Sequence, residues 1–220
     1  FEVLLRFSHP DFPNVSPAEF IPLAETTGLI RPIGQFVIRN ALLHLHAMDN
    51  QSDSRYSLTI NLSPRQLQDE TFVEFLRDQL EYFSIDPGRI ILEITENSLM
   101  ENNIRNEKKL EEIREVGCLI AIDDFGTGFS SLSYLRRFAV DILKIDQAFI
   151  QRVPNDEADS NLIRGIINMS RELGIAVIAE GVEKKTQYDF LVENGCDMAQ
   201  GFYFSKPVKA ELIHDDMVNI

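Results

Sequence analysis

Seven short apolar runs in this chain each carry, at or near the C-terminal end, a polar residue that could do chemistry. They are FEVLLRF with Glu2, SLTINLS with Asn61, RIILEIT with Glu93, CLIAIDD with Asp123 and Asp124, VDILKID with Lys144, IAVIAEG with Glu180 and DMAQGFYF with Gln200. A charge inside a buried strand is costly unless it is paired or metal-bound. Interruptions that recur in phase therefore argue for one shared site. Side chains alternate along a strand, so Glu2 and Leu4 share one face and Val3 takes the other, and Glu93 shares its face with Ile91 and Thr95. Glu96 lies just beyond that strand. The strand ends thus aim Glu2, Asn61, Glu93 and Asp123 towards one axis. Four oxygen donors without a converging His or Cys suit Mg²⁺ or Mn²⁺ rather than zinc. The doublet Asp123-Asp124 has the chemistry to bridge two ions about 3.5–4 Å apart. Lys144 and Glu180 complete a set able to position or deprotonate a water.

Taken singly, each residue has a plainer reading. A strand-end Glu is commonly a loop ion pair. Asp-Asp before Gly is ordinary turn chemistry, Asn61 before Ser-Pro can open a turn or cap a helix, and Lys144 can be a buried salt-bridge partner. The Gly-rich run FGTGFSS serves equally as a phosphate cradle of backbone N–H groups or as a bare turn. The four histidines show no ligand spacing. The joint pattern is what favours a site.

The elements that must position these residues follow from periodicity. Helices are expected at Pro17 to Thr27 (stopped by Gly28), Pro32 to Met48, Pro64 to Phe83, Asn102 to Val116, Ser131 to Arg137, Ala158 to Leu173 and Lys184 to Asn194. Strand and helix alternate over the whole chain, and the strands are apolar on both faces, which argues for a parallel sheet with crossover helices. An open sheet gathers its ligands near one switch point, whereas here seven strand ends contribute, as at the C-terminal mouth of a (β/α)8 TIM-type barrel. A barrel needs eight strands, so the first strand is expected upstream of Phe1, and the chain is read as one N-terminally incomplete domain over residues 1–220.

The 220 residues carry a net charge of −14 and are 44% hydrophobic, which suits a globular domain and not a duplex nucleic-acid binder. No apolar stretch reaches membrane-spanning length. Cys118 and Cys196 are too few and too scattered for a disulfide framework, in keeping with a reducing, cytoplasmic setting.

The segments EVLLRF, HP, PAEFIPLAETTGLI, INLSPRQL, LEITENSLM, GCLIAIDDFGTGFSSLSYLRRF, VDILKIDQAFI, IAEGVE, Gln187 and GCDMAQGFYFSKP, in this order, resemble the EAL-domain cyclic-di-GMP phosphodiesterases over essentially the full length. The resemblance implies a barrel whose first strand, the one expected upstream, is antiparallel to the rest. It implies Glu2, Asn61, Glu93 and Asp123 as ligands of one Mg²⁺ or Mn²⁺, Asp124 at a second, Lys144 holding the attacking water, and Glu180 as base or second-metal ligand. It further implies Arg6 at a substrate phosphate with Leu4 and Gln200 in the substrate site, and Glu96 and Glu183 steadying the Asp-Phe-Gly loop. The loop and helix after Asp124 are expected in a homodimer interface. An upstream regulatory domain, and in a full-length protein a membrane anchor, are common in the family.

Two departures stand out. The signature Glu-Ala-Leu reads Glu-Val-Leu, with Val3 expected to face the helix layer, and Phe7 replaces a Trp. The activity implied is hydrolysis of cyclic di-GMP to linear pGpG. The alternative is a catalytically silent or regulated cyclic-di-GMP receptor; family members that only bind the dinucleotide typically lack several acidic ligands, and none is lost here. A more distant alternative is an enolase-type barrel enzyme with Lys144 as base.

Overall fold

A computed structural model describes residues 1–13, 15–51, 55–100, 103–126, 135, 137–138 and 140–213. The chain divides into two compact units, Phe1–Ile94 with Glu101–Leu119, and Thr95–Met100 with Ile120–Ile220.

The first unit holds three parallel strands, β1 (Glu2–Val3), β2 (Leu58–Asn61) and β3 (Ile90–Thr95), paired in that order with Glu2 opposite Thr59 and Asn61 opposite Glu93. The strand expected over FEVLLRF is thus short, because Leu4 to Phe7 leave the ladder. Its helices are α1 (Pro17–Thr27), α2 (Ile30–Asp49), α3 (Pro64–Leu67), α4 (Phe72–Phe83) and, from the second segment, α6 (Asn103–Val116). Helix α1 opens on Pro17 behind a Ser16–Glu19 capping pair, in which Glu19 Oε2 accepts from Ser16 N at 2.8 Å. Helix α2 begins two residues before the expected Pro32. That proline falls in the first turn, where its missing N–H had no intrahelical partner to lose. It buries Ile30, Ile38, Ala41, Leu42 and Leu45 at helical spacing, each large apolar side chain contributing about 1.5–3 kcal/mol.

The single helix expected over Pro64 to Phe83 is two. Asp69 Oδ1 accepts from both the backbone N–H (3.0 Å) and the hydroxyl (2.9 Å) of Thr71, a local turn that outcompetes helix continuation between α3 and α4.

The second unit holds α5 (Glu96–Met100) and four parallel strands, β4 (Leu119–Phe125), β5 (Ile142–Ile145), β6 (Ala176–Ala179) and β7 (Met198–Ala199). Between them run α7 (Gln147–Ile150), a short helix that periodicity does not announce, α8 (Glu157–Leu173) and α9 (Lys185–Glu193). Helix α8 is capped by Asp156, whose carboxylate accepts from Asp159 N at 3.0 Å, and it buries Ile163, Ile166 and Ile167. At the N-terminal ends of the strands two carboxylates bind neighbouring backbone. Asp141 Oδ2 accepts the Ile120 N–H at 2.9 Å and Asp197 Oδ2 accepts the Val177 N–H at 2.8 Å.

Most of FGTGFSS and of the expected helix Ser131 to Arg137 lies outside the described residues, as do residue 102 of the charged helix and His214. Among the described residues no helix is long and apolar enough to cross a membrane.

Candidate active site

In the first unit, the C-terminal ends of β1, β2 and β3 collect three of the expected ligands. Asn61 Nδ2 donates to Glu2 Oε1 at 3.0 Å. Glu93 is the register partner of Asn61 and is buried, at 1% exposure. Parallel pairing in register sets Asn61 level with Glu93, while Glu2, opposite Thr59, is joined to Asn61 by the side-chain hydrogen bond. Arg6 is exposed, with Nη1 donating to Leu5 O at 3.0 Å. It lines a hollow of about 350 Å³ with Leu5, Phe7, Phe20, Pro32, Ile33 and Phe36. That hollow contains none of the acidic residues, so the chemistry lies elsewhere. Leu4 is exposed.

Among the described residues of the second unit, Lys144 is the most deeply buried charge. Only 1% exposed, it sits on β5 with Nζ 2.5 Å from Glu180 Oε1 and 3.6 Å from Asp123 Oδ1. A buried ammonium is tolerable only with such partners. Glu180 follows β6 directly, its N–H donated to Ile145 O at 3.0 Å. Asp123 Oδ1 accepts the N–H of Asp124 at 2.9 Å.

Asp124 adopts φ 56°, the left-handed region that costs a non-glycine residue on the order of 1–3 kcal/mol. Partial burial, then the charge of Asp146 and a hydrogen bond with it, push the Asp124 carboxyl above the usual range. Asp146, two residues beyond Lys144, caps α7 by accepting from Ala148 N at 2.7 Å.

Sequence reasoning passed over Asp146. The signal that could have found it is its position in LKID, on the same alternation as Lys144 and at the C-terminal rim.

Gln200 is held through its backbone, donating to Ala179 O at 2.8 Å and accepting from Val182 N at 3.0 Å. Glu96 is buried at the head of α5, and Glu183 is exposed. Every candidate ligand in both units offers an oxygen, which is the donor chemistry that a hard divalent ion requires. The residue set therefore fits Mg²⁺ or Mn²⁺.

The EAL domain family model matches residues 1–207. The chain belongs to the EAL-domain family. It is 38% identical over 210 residues to the bifunctional diguanylate cyclase/cyclic di-GMP phosphodiesterase MucR of Pseudomonas aeruginosa, which covers 96% of this chain and 31% of that protein. It is 35% identical over 209 residues to the cyclic di-GMP phosphodiesterase PdeR of Escherichia coli, covering 95% of this chain and 32% of that protein. The chain thus spans about a third of the length of these curated relatives. Among solved structures, the MucR phosphodiesterase in complex with c-di-GMP superposes with a TM-score of 0.89 at 38% identity, covering 96% of this chain and 85% of that one. The FimX EAL domain of Pseudomonas aeruginosa bound to c-di-GMP gives 0.82 at 27% identity, covering 94% and 82%. These likenesses carry the α/β barrel class expected from the alternating elements.

Proposed function

We propose that this EAL domain, read as one domain over residues 1–220, is a metal-dependent phosphodiesterase that hydrolyses cyclic di-GMP to linear pGpG. The observation that carries the reading is the buried Lys144 ammonium held between Glu180 and Asp123 at strand ends, in a chain that resembles a c-di-GMP-bound phosphodiesterase at 38% identity.

In this reading Glu2, Asn61, Glu93 and Asp123 hold one Mg²⁺ or Mn²⁺ and Asp124 serves a second. When bound, the ions lower the pKa of water and offset charge on phosphoryl oxygens. Lys144, fixed by its two carboxylates, donates a hydrogen bond to the attacking oxygen and orients it. Glu180, which touches Lys144, is placed to accept the proton that oxygen gives up or to share the second ion. Arg6 meets a phosphate of the dianionic substrate, which a domain of net charge −14 would otherwise repel. Leu4 and Gln200 border the substrate, and Glu96 and Glu183 steady the Asp-Phe-Gly loop.

A homodimer through the loop and helix after Asp124, an upstream regulatory domain and a cytoplasmic location belong to the same reading, and relatives much longer than this chain support the further domain.

The test is incubation with cyclic di-GMP and Mn²⁺ followed by chromatographic separation of nucleotides. Appearance of pGpG, and its loss in Glu2→Ala, is the expected result. Intact substrate alone, from folded protein with Mn²⁺ bound, would overturn the activity.

A further inference from the structure

Gln187 lies on α9, away from the strand ends, yet it is 1% exposed and every polar atom of its amide is engaged. Its Oε1 accepts two consecutive backbone N–H groups, from Glu183 and Lys184, each at 2.9 Å. Its Nε2 donates to the Ile150 carbonyl at 3.0 Å. The assignment of oxygen and nitrogen follows from this network, because the flipped amide would set its NH₂ against two donors.

One end of the side chain therefore grips the segment that follows Glu180, and the other grips the last residue of α7, the helix that follows Lys144 and Asp146.

Helix α7 in turn touches both acid-bearing segments of the unit, at Gly126 just after β4 and at Gly181 just after Glu180. Its cap, Asp146, stands against Asp124. Gln147 packs so closely on Gly181, at φ 69°, that a Cβ there would fall 2.4 Å from Gln147 Cβ. Phe149 covers Gly126, at φ 98°, where a Cβ would fall 3.2 Å from its ring. Through Gln147 and Phe149, helix α7 is thus packed between the end of β4, which carries Asp123 and Asp124, and the segment after β6 that carries Glu180. Gln187 is the polar tie that closes this wedge from behind.

The plain alternative is a helix cap. A residue at the third helical position that accepts the cap residue's N–H is one side of a capping box. A cap alone needs neither burial nor a donor bond to a different helix. Gln187 has both, and its Ile150 bond joins α9 to the end of α7.

We propose that Gln187 is a positioning residue for the site. By tying the Glu183-Lys184 segment to Ile150 it sets the relative placement of Glu180, Lys144 and the Asp123-Asp124 pair. The inference rests on the proposed metal-dependent activity and names a residue that acts on it through others. Residues behind metal ligands change metal affinity or turnover by about 10–100-fold when altered.

Two variants test it. Gln187→Met keeps the volume and removes all three hydrogen bonds. Gln187→Glu keeps the acceptor for the two N–H groups and removes the donor to Ile150. Mn²⁺ binding is read by electron paramagnetic resonance of free and bound ion, without substrate, and kcat and KM for cyclic di-GMP are read at saturating Mn²⁺. Folded Gln187→Met is expected to bind Mn²⁺ about tenfold more weakly and to lose about tenfold in kcat, with KM little changed and Gln187→Glu in between. If Gln187→Met does not fold, Gln187→Glu decides. Wild-type Mn²⁺ affinity and kcat in whichever folded variant is measured, with lowered stability alone, reduces Gln187 to a cap and overturns the inference while leaving the proposed function standing. A wild-type protein that binds Mn²⁺ normally but leaves cyclic di-GMP intact removes the proposed function instead, and the Mn²⁺ comparison still decides Gln187. A wild-type protein that binds no Mn²⁺ overturns both.

Discussion

Lys144 Nζ stands 2.5 Å from Glu180 Oε1, the closest pairing of opposite charges at the strand ends of the second unit, with Asp123 Oδ1 at 3.6 Å on its other side. Lys144→Met keeps the buried stem and deletes the ammonium, leaving two carboxylates to face each other. The metal-free variant is expected to lose about 3 kcal/mol of stability. With Mn²⁺ added, kcat is expected to fall by about 10²–10³ with KM nearly constant, because the lost bond is one that strengthens as charge develops. Urea melts and steady-state kinetics read the two effects separately, and wild-type kcat would end the role given to this lysine.

Partial burial, and after it the charge of Asp146, raise the affinity of Asp124 for its proton. A carboxyl whose folded pKa lies above its unfolded value contributes stability fully below the unfolded pKa and loses it as pH rises through the folded one. In metal-free protein Asp146→Asn removes the neighbouring charge, and Asn remains a good helix cap. The variant should therefore gain stability relative to wild type near neutral pH and lose that advantage below the ordinary carboxylate range. Urea midpoints across pH, in the presence of a chelator, check this. A pH-independent difference would show that the two carboxyls do not interact.

Arg89 ties the C-terminus of α2 to the approach to β3. Its guanidinium, 8% exposed, makes a two-pronged contact with Asp49 at 2.6 and 2.7 Å and donates Nε to Tyr56 O at 2.7 Å. The hydrogen bond from Arg89 holds the Asp49 carboxyl below its usual range. Its stabilising share is thus present above the unfolded pKa and lost as pH falls through the folded one. Asp49→Ala is expected to cost about 3 kcal/mol by stranding a buried cation. Adding Arg89→Met should restore part of that loss, and chemical denaturation of the single and double variants measures it. Strict additivity would mean that the pair is not coupled.

Ser170 faces the core from α8 with no exposure, and among the described residues its hydroxyl has no hydrogen-bond partner. Replacing an unsatisfied buried hydroxyl with a methyl group removes a desolvation cost of about 1–3 kcal/mol. Ser170→Ala should leave activity unchanged and raise the melting temperature by a few degrees. A lowered melting temperature would reveal a partner for this hydroxyl.

The parts of this molecule legible in its sequence are those written locally. Pro17 and Gly28 bound α1 because N–H loss at a helix start and a stop at a helix end are properties of those residues alone. Asn61, Glu93 and Lys144 were visible as polar interruptions of apolar strands, since burial makes such interruptions expensive. What escaped was set by partners distant in sequence or by competition between bonds. The break at Gln68 to Thr71 is hidden because apolar spacing continues through it while Asp69 draws the Thr71 N–H away. Asp146 resembles any helix cap until Asp124 is beside it in space. Gln187 shows in the sequence as one residue of the family resemblance, with no sign of its role, and its burial depends on where Ile150 ends.

The paired carboxylates at the far rim of the second unit, Asp141 on the Ile120 N–H and Asp197 on the Val177 N–H, work as index pins. Each locks one strand against its neighbour at the edge opposite the reactive groups. A slip of one residue would break a charged bond at that edge and turn every side chain of the strand to the opposite face. The height at which Lys144 and Glu180 emerge is therefore gauged from the floor of the sheet, and lengthening or shortening a loop at the mouth leaves that gauge untouched.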